Sequence, residues 1–300
     1  MFNKAPIFIN GFTRGGSNIL VNLLLSHPRV CFPTGELGKV FRGRARIEPW
    51  WRTIEKRVAY DWPLSIAVGQ SLFSTDDLRP RPALPSWMHR YIDRVLYREK
   101  LRARHERHNL YKARGVPYTA EEVVHARLLC KNLNGLVLLT PILAEMYPDA
   151  TFFGLVRNGL ALCEGHIRRG MKAEEFARRF NRLARAMIED SRTMPHYHVV
   201  RFENMIADPI ATMKSLYRDA GLDFAELSQV RLQIKAVVTR EGDHHPVGGA
   251  DRQVVWYDRD AVPSHFTSDI DAVQIARLAP RDRDAFMRIA GETMAALGYV

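Results

Sequence analysis

Three observations predict an α/β fold of three layers, with a central parallel sheet flanked by helices. Short apolar runs without polar alternation recur along the chain. Helical periodicities separate them. The first run passes through a glycine-rich turn straight into a helix. Strands covered on both faces read as continuous apolar runs, and their alternation with helices is how parallel sheets are connected. With 300 residues, 46 % of them hydrophobic, the chain can bury one large core, and a single domain over 1–300 is expected.

The elements follow in order. Ile7 to Asn10 is an apolar strand ended by Gly11, and Ser17 to Ser26 is a helix apolar nearly all round, stopped by His27-Pro28. Leu128 to Cys130 reads as a second strand and Leu136 to Met146 as a helix after it. Thr151 to Val156 (TFFGLV) is a third strand and His198 to Phe202 (HVVRF) a fourth. Between these two, Lys172 to Arg192 places Phe176, Phe180, Leu183, Met187 and Ile188 on one helical face, a stripe that core packing explains. Ala279 to Leu297 is a last helix.

The charge is basic, 44 Lys and Arg against 33 Asp and Glu, and it is concentrated. Residues 79–114 hold eleven Lys and Arg but three acids, a net of eight, so the excess needs a local explanation. A basic helical insert at about 79–115 is expected, entered through the proline-rich RPRPALPS with Ser86 as N-cap. Arg90, Arg94, Arg98 and Arg102 share one face, and Trp87, Met88, Tyr91, Ile92 and Val95 make an apolar side. A solvated face over a core stripe accounts for that pattern. An acidic glycan acceptor or an anionic membrane surface, as a peripheral contact, is the functional alternative. Trp50, Trp51 and Trp62 are either sugar-stacking or core residues. No nucleic-acid motif accompanies the basic segment. Cys31, Cys130 and Cys163 are scattered and odd in number, which suits buried thiols in a reducing compartment. With no leader pattern before PIFING, a cytoplasmic protein is expected.

The segment FINGFTRGGSNIL (8–20) raises the functional question. Gly11 and Gly16 keep the spacing of G-x-x-x-x-G-K-[ST], and a strand, glycine turn and helix N-terminus make an anion site. Ser17 and Asn18 stand where a nucleoside triphosphatase needs Lys and Ser/Thr, which argues against ordinary ATP or GTP hydrolysis. Arg14 brings a cation in a different place. The fold expected is therefore P-loop-like.

GFTRGGSNIL resembles the loop G-x-P-R-S-G-T-T-L-L of sulfotransferases that use 3′-phosphoadenosine 5′-phosphosulfate (PAPS). Four further segments resemble that family in its own order. They are HPRVCFPTGELGKVF (27–41), LCKNLNGLVLLTPILAEMYPDATFFGLVRNG (129–159), VVRFENMIADPIATMKSLYRDAGL (199–222) and the terminal ALGYV. The branch most similar is that of tyrosylprotein and bacterial saccharide sulfotransferases, and residues 42–125 lie outside the likeness.

The resemblance implies PAPS as co-substrate, bound by Arg14, Gly15, Gly16, Ser17, Asn18 and Arg157, with Phe202 on the adenine and no metal. It implies Glu36 as catalytic base and Lys131 on the leaving oxygen, with Arg14 also in the catalytic set. By position alone Glu36 reads as a helix N-terminal carboxylate, Lys131 equally as a surface lysine and Phe202 equally as a core aromatic. The family has a serine eight residues after the phosphate-binding arginine, where this chain has Gly165. His166 and Arg168 are near in sequence, and Arg252, in REGDHHPVGGADRQ (240–253), is the expected added phosphate contact. Sulfonate transfer to a hydroxyl of a saccharide or glycolipid is the leading expectation. The alternatives are a kinase with an atypical phosphate loop and a non-catalytic polyanion binder. Oligomeric state is not legible.

Overall fold

A computed structural model describes residues 4–32, 36–42, 49–62, 84–102, 119–233, 236–238, 244–246, 254–266 and 270–299. Its centre is a parallel sheet of five strands in the order β2-β3-β1-β4-β5, with β1 at Ile7–Gly11, β2 at Val30–Cys31, β3 at Arg127–Leu133, β4 at Thr151–Val156 and β5 at Tyr197–Arg201. β1 sits in the middle: Ile9 aligns with Lys131 of β3 on one side and with Phe153 of β4 on the other. Every residue of β1 and β4 is buried, as continuous apolar runs require.

Helices cover both faces. α1 is Ser17–Leu25, α2 Leu37–Arg42, and α3 Trp50–Lys56, which continues as a π-helical turn Arg57–Asp61. α4 is Ser86–Arg102, α5 Ala120–His125, α6 Thr140–Met146 and α7 Gly159–Ile167. α8 is Ala173–Thr193, α9 Phe202–Ala207, α10 Pro209–Asp219, α11 Ile270–Ala276 and α12 Pro280–Ala296. α8 buries Phe176, Phe180, Leu183 and Met187 completely and packs against α12. Phe12 stacks on Phe180 at 5.1 Å, so the start of the glycine loop is anchored in this aromatic cluster. Fully burying one such ring contributes about 1.5–3 kcal/mol.

Several expectations are corrected. The stretch after β3 is 3₁₀ at Asn134–Leu139, and α6 begins only at Thr140, where Pro141 fits the first turn. Pro85, not Ser86, stands at the start of α4, because its carbonyl accepts from Met88 N at 2.9 Å. Met88, Ile92, Val95 and Leu96 bury α4 in the core, whereas Trp87 is exposed and lies with the arginines. Trp50, Trp51 and Trp62 are exposed rather than core. β6 (Gln229–Gln233), β7 (Ala236–Val238), β8 (His244–Pro246) and β9 (Val254–Asp258) form two antiparallel pairs, β6 with β9 and β7 with β8. Arg231 ties β6 to α1: its N–H donates to Ser26 Oγ and its Nη1 to Asn22 Oδ1, both at 2.8 Å. Cys31, Cys130 and Cys163 are buried free thiols, and burial pushes Cys31 and Cys163 up to about 12. Among the described residues no helix is long and apolar enough to cross a membrane.

Candidate active site

In an open parallel sheet, chemistry gathers beyond the carboxyl ends of the strands, beside the place where the connections part to opposite sides. The glycine loop follows β1, Lys131 lies near the end of β3, Arg157 follows β4 and Phe202 follows β5. Four neighbouring strands therefore deliver the residues in question to one edge.

The loop takes its shape from its own backbone and its neighbours. Gly15 N–H donates to Phe12 O at 3.1 Å, closing a turn in which Arg14 takes φ 71. Gly16 has φ 88, and a Cβ there would lie 2.3 Å from a carbon of the Phe202 ring, so only glycine fits. From the other side, His166 Nε2 lies 3.3 Å from Thr13 O, and Asn134 Oδ1 accepts from Thr13 N at 3.3 Å. A carbonyl partner requires the proton on Nε2. Burial, helped by Arg179, Arg169 and Arg14 and opposed by the Thr13 carbonyl, pushes His166 down to about 4, so the ring is neutral. Ile19 N is bonded back to Gly16 O at 2.8 Å, and the N–H groups of Gly16, Ser17 and Asn18 precede that first helical bond. Free amides at a helix N-terminus, together with the helix dipole, favour an anion. The Gly15 amide is used inside the loop, so Gly15 turns the chain rather than offering a donor.

Lys131 is buried, with its Nζ 2.7 Å from Asn18 Oδ1 and 3.1 Å from Glu36 Oε1. It is no surface lysine. Asn18 thereby has its amide NH₂ turned away from the lysine. Glu36 caps α2 through its carbonyl, which accepts from Val40 N at 3.2 Å, while its partly exposed carboxylate faces the lysine. The backbone of Glu36 thus starts a helix, while its carboxylate pairs with Lys131 at the cleft.

Arg157 is buried and fully engaged. Nε and Nη2 donate to Asp271 Oδ1 at 2.8 and 2.5 Å, Nη2 also to Gln274 Oε1 at 2.7 Å, and Nη1 to Arg14 O at 2.8 Å. Its guanidinium carbon lies 4.2 Å over the Phe202 ring. Phe202 therefore buttresses Gly16 and Arg157. Asp271 and Gln274, on α11, were not singled out from the sequence, because nothing local marks a partner 114 positions from Arg157. Glu203 accepts from Asn158 N at 2.9 Å and from Tyr299 Oη at 2.8 Å, and burial pushes its carboxyl up.

These groups line a cleft of about 360 Å³, among them Arg14, Ser17, Asn18, Glu36, Lys131 and Arg157. Gly165, Arg168 and Arg169 close one side, and a Cβ built on Gly165 meets nothing within 4 Å. Arg168 is held by Glu164 at 2.7 Å, while His166 is turned to the loop and stacks on Phe176 at 4.3 Å. Arg252 lies outside the described residues. A larger cavity of about 850 Å³ lies at the opposite edge of the sheet, around Arg127. Arg127 donates there to the carbonyls of Ala5, Pro6 and Ala220 and to Thr151, which ties down the chain.

A family model described as the sulfotransferase family matches residues 6–226. The chain belongs to the sulfotransferase family. The model spans the glycine loop, Glu36, Lys131, Arg157 and Phe202. No curated protein matches the chain. Among solved structures, a sulfotransferase domain from the curacin biosynthetic pathway is 14 % identical, covers 100 % of this chain and 99 % of its own, and superposes with a TM-score of 0.51. The sulfotransferase domain of the Synechococcus PCC 7002 olefin synthase is 17 % identical, with 98 % and 96 % covered and a TM-score of 0.49. A sulfotransferase named STF1 from Mycobacterium tuberculosis H37Rv is 14 % identical, with 92 % and 77 % covered and a TM-score of 0.38. The chain is a sulfotransferase enzyme with the family's α/β fold, and it transfers a sulfonate group.

Proposed function

We propose that the donor is PAPS, that the acceptor is a hydroxyl of a saccharide or glycolipid, and that Glu36 is the base. The observation that carries this reading is Lys131 Nζ held between Asn18 and Glu36 at the mouth of α1. The residues fit a phosphosulfate at that end: the converging amides of Gly16, Ser17 and Asn18, the guanidinium of Arg14 and the lysine all favour an anion. At the other end Arg157 now holds a carboxylate, and a 3′-phosphate would take the place of Asp271 on the same donors.

In the transfer, the acceptor oxygen forms its bond to sulfur as the bond from sulfur to the 5′-phosphate oxygen breaks. The acceptor proton passes to Glu36, a contribution of typically 10²–10⁴-fold. Negative charge appears on the phosphate oxygen, where Lys131 meets it. The ion pair links these two events. Once Glu36 is protonated its hold on Lys131 weakens, and the ammonium turns to the leaving oxygen when charge develops there.

The test is a calorimetric titration with 3′-phosphoadenosine 5′-phosphate, AMP and ATP, joined to turnover of Glu36→Gln. We expect the bisphosphate to bind far more tightly than the other two, and the variant to keep that affinity while losing about 10²–10⁴ in rate. AMP binding as tightly as the bisphosphate would remove the donor assignment. Full turnover in the variant would remove the base.

A further inference from the structure

We infer that the protein docks on an anionic lipid bilayer through the exposed faces of α3 and α4. The inference does not depend on the identity of the donor. In α3 and its π-helical extension, Trp50, Ile54, Val58 and Trp62 recur every four residues with Trp51 beside the first, and all five are at least half exposed. Arg52, Lys56 and Arg57 flank them, against one exposed acid among the described side chains of this helix, Glu55. In α4, Trp87, Arg90, Arg94, Arg98 and Leu101 are all exposed. At 3.6 residues per turn they fall within an arc of roughly 80°.

That arc carries no acid. The two acids of α4 are turned away: Asp93 accepts from Tyr147 Oη at 3.0 Å, and Glu99 is buried against Arg102 at 2.9 Å. What remains outward is three guanidinium groups between a tryptophan and a leucine. A cationic face with Trp and Leu is the pattern of a helix lying in a headgroup layer. The guanidinium groups meet lipid phosphates while the apolar side chains enter the acyl boundary.

Other occupants fit less well. Ile54, Val58 and Leu101 offer a sugar neither a ring face nor a hydrogen bond. A second copy brought arginine face to arginine face would meet like charge. The α3 face is also close to the chemistry in the fold, because α2, which begins after Glu36, packs against α3 and its extension. A membrane-resident hydroxyl would reach the proposed base from that side.

The experiment is flotation of the full chain with vesicles of phosphatidylcholine alone and of phosphatidylcholine with phosphatidylglycerol, following tryptophan emission. Binding to the phosphatidylglycerol vesicles is expected, with a blue shift, release by high salt and little binding to phosphatidylcholine alone. Arg90→Glu, Arg94→Glu and Arg98→Glu together should weaken it by about a hundredfold or more. Trp50→Ser, Trp51→Ser and Trp62→Ser together should abolish most of the blue shift. Binding of 3′-phosphoadenosine 5′-phosphate should be unchanged in both. Absence of binding to the acidic vesicles, equal binding to both kinds, or capture by a sulfated polysaccharide without vesicle binding overturns the inference. Self-association in place of vesicle binding also overturns it. The measurements on the unaltered chain decide the matter even if a variant misfolds.

Discussion

Asp271 is the residue that most changes how the site reads. Its carboxylate holds the guanidinium of Arg157 through two donors, with Gln274 sharing one of them. If a donor phosphate uses Arg157, it must displace this pair, and the exchange subtracts from its affinity. Asp271→Asn should therefore tighten 3′-phosphoadenosine 5′-phosphate by roughly tenfold or more, since hydrogen bonds to charged groups contribute about 1.5–3 kcal/mol. Calorimetry would measure this, and unchanged affinity would mean that Arg157 serves the fold and the phosphate lies elsewhere. Arg157 itself was legible because an apolar strand runs directly into it. Its carboxylate partner was not, because an ion pair between β4 and α11 leaves no periodicity to read.

At the level of elements, the glycine loop works because two backbone positions adopt left-handed geometry. Arg14 accepts that conformation at φ 71, and Gly16 at φ 88 also lies against Phe202. Gly16→Ala would add a Cβ 2.3 Å from the ring. Overpacking costs about 1–3 kcal/mol and a left-handed β-carbon about 1–2 more. A lower thermal midpoint and strongly reduced bisphosphate binding are expected together. A variant with native affinity would show that the loop tolerates another shape. The strands and long helices of this region were readable from their apolar patterns, TFFGLV being correct to the residue. The run Leu136–Leu139 was not, because four successive apolar residues fill a 3₁₀ turn as well as an α-helical one, and Thr140-Pro141 places the true helix start later. Trp87 misled for a different reason: apolar composition says core, and only the packing reveals which face is left outside, as it also decides against the core for the tryptophans of α3.

For the whole molecule, the strand order β2-β3-β1-β4-β5 depends on pairings such as Gly11 with Leu133 and with Leu155, which no local pattern encodes. The pairs β6–β9 and β7–β8 were also missed: β7 and β8 are three residues each, and β6 (QVRLQ) alternates polar and apolar residues, unlike the continuous apolar runs of the central sheet. Stability as a whole should depend on pH through His166. Its folded value, about 4, lies below the ordinary 6.5, so the unfolded chain binds the proton more readily between those values. The stabilisation is complete above about pH 6.5 and is lost as pH falls towards 4. Burial lowers His27 as well, in the same direction. Denaturant unfolding should give a stability about 2 kcal/mol lower at pH 5 than at pH 7.5. His166→Gln should flatten that difference, and an equally steep profile in the variant would assign the effect to other groups.

The empty space beside Gly165 has a consequence for how such an enzyme can change. A side chain placed there would project into the cleft from the last turn of α7 without touching the packed interior, and a helix loses nothing when glycine is exchanged for serine. Ligand preference in the cleft can therefore drift by single substitutions that the scaffold does not register. Selection on the ligand and selection on folding are uncoupled at that position.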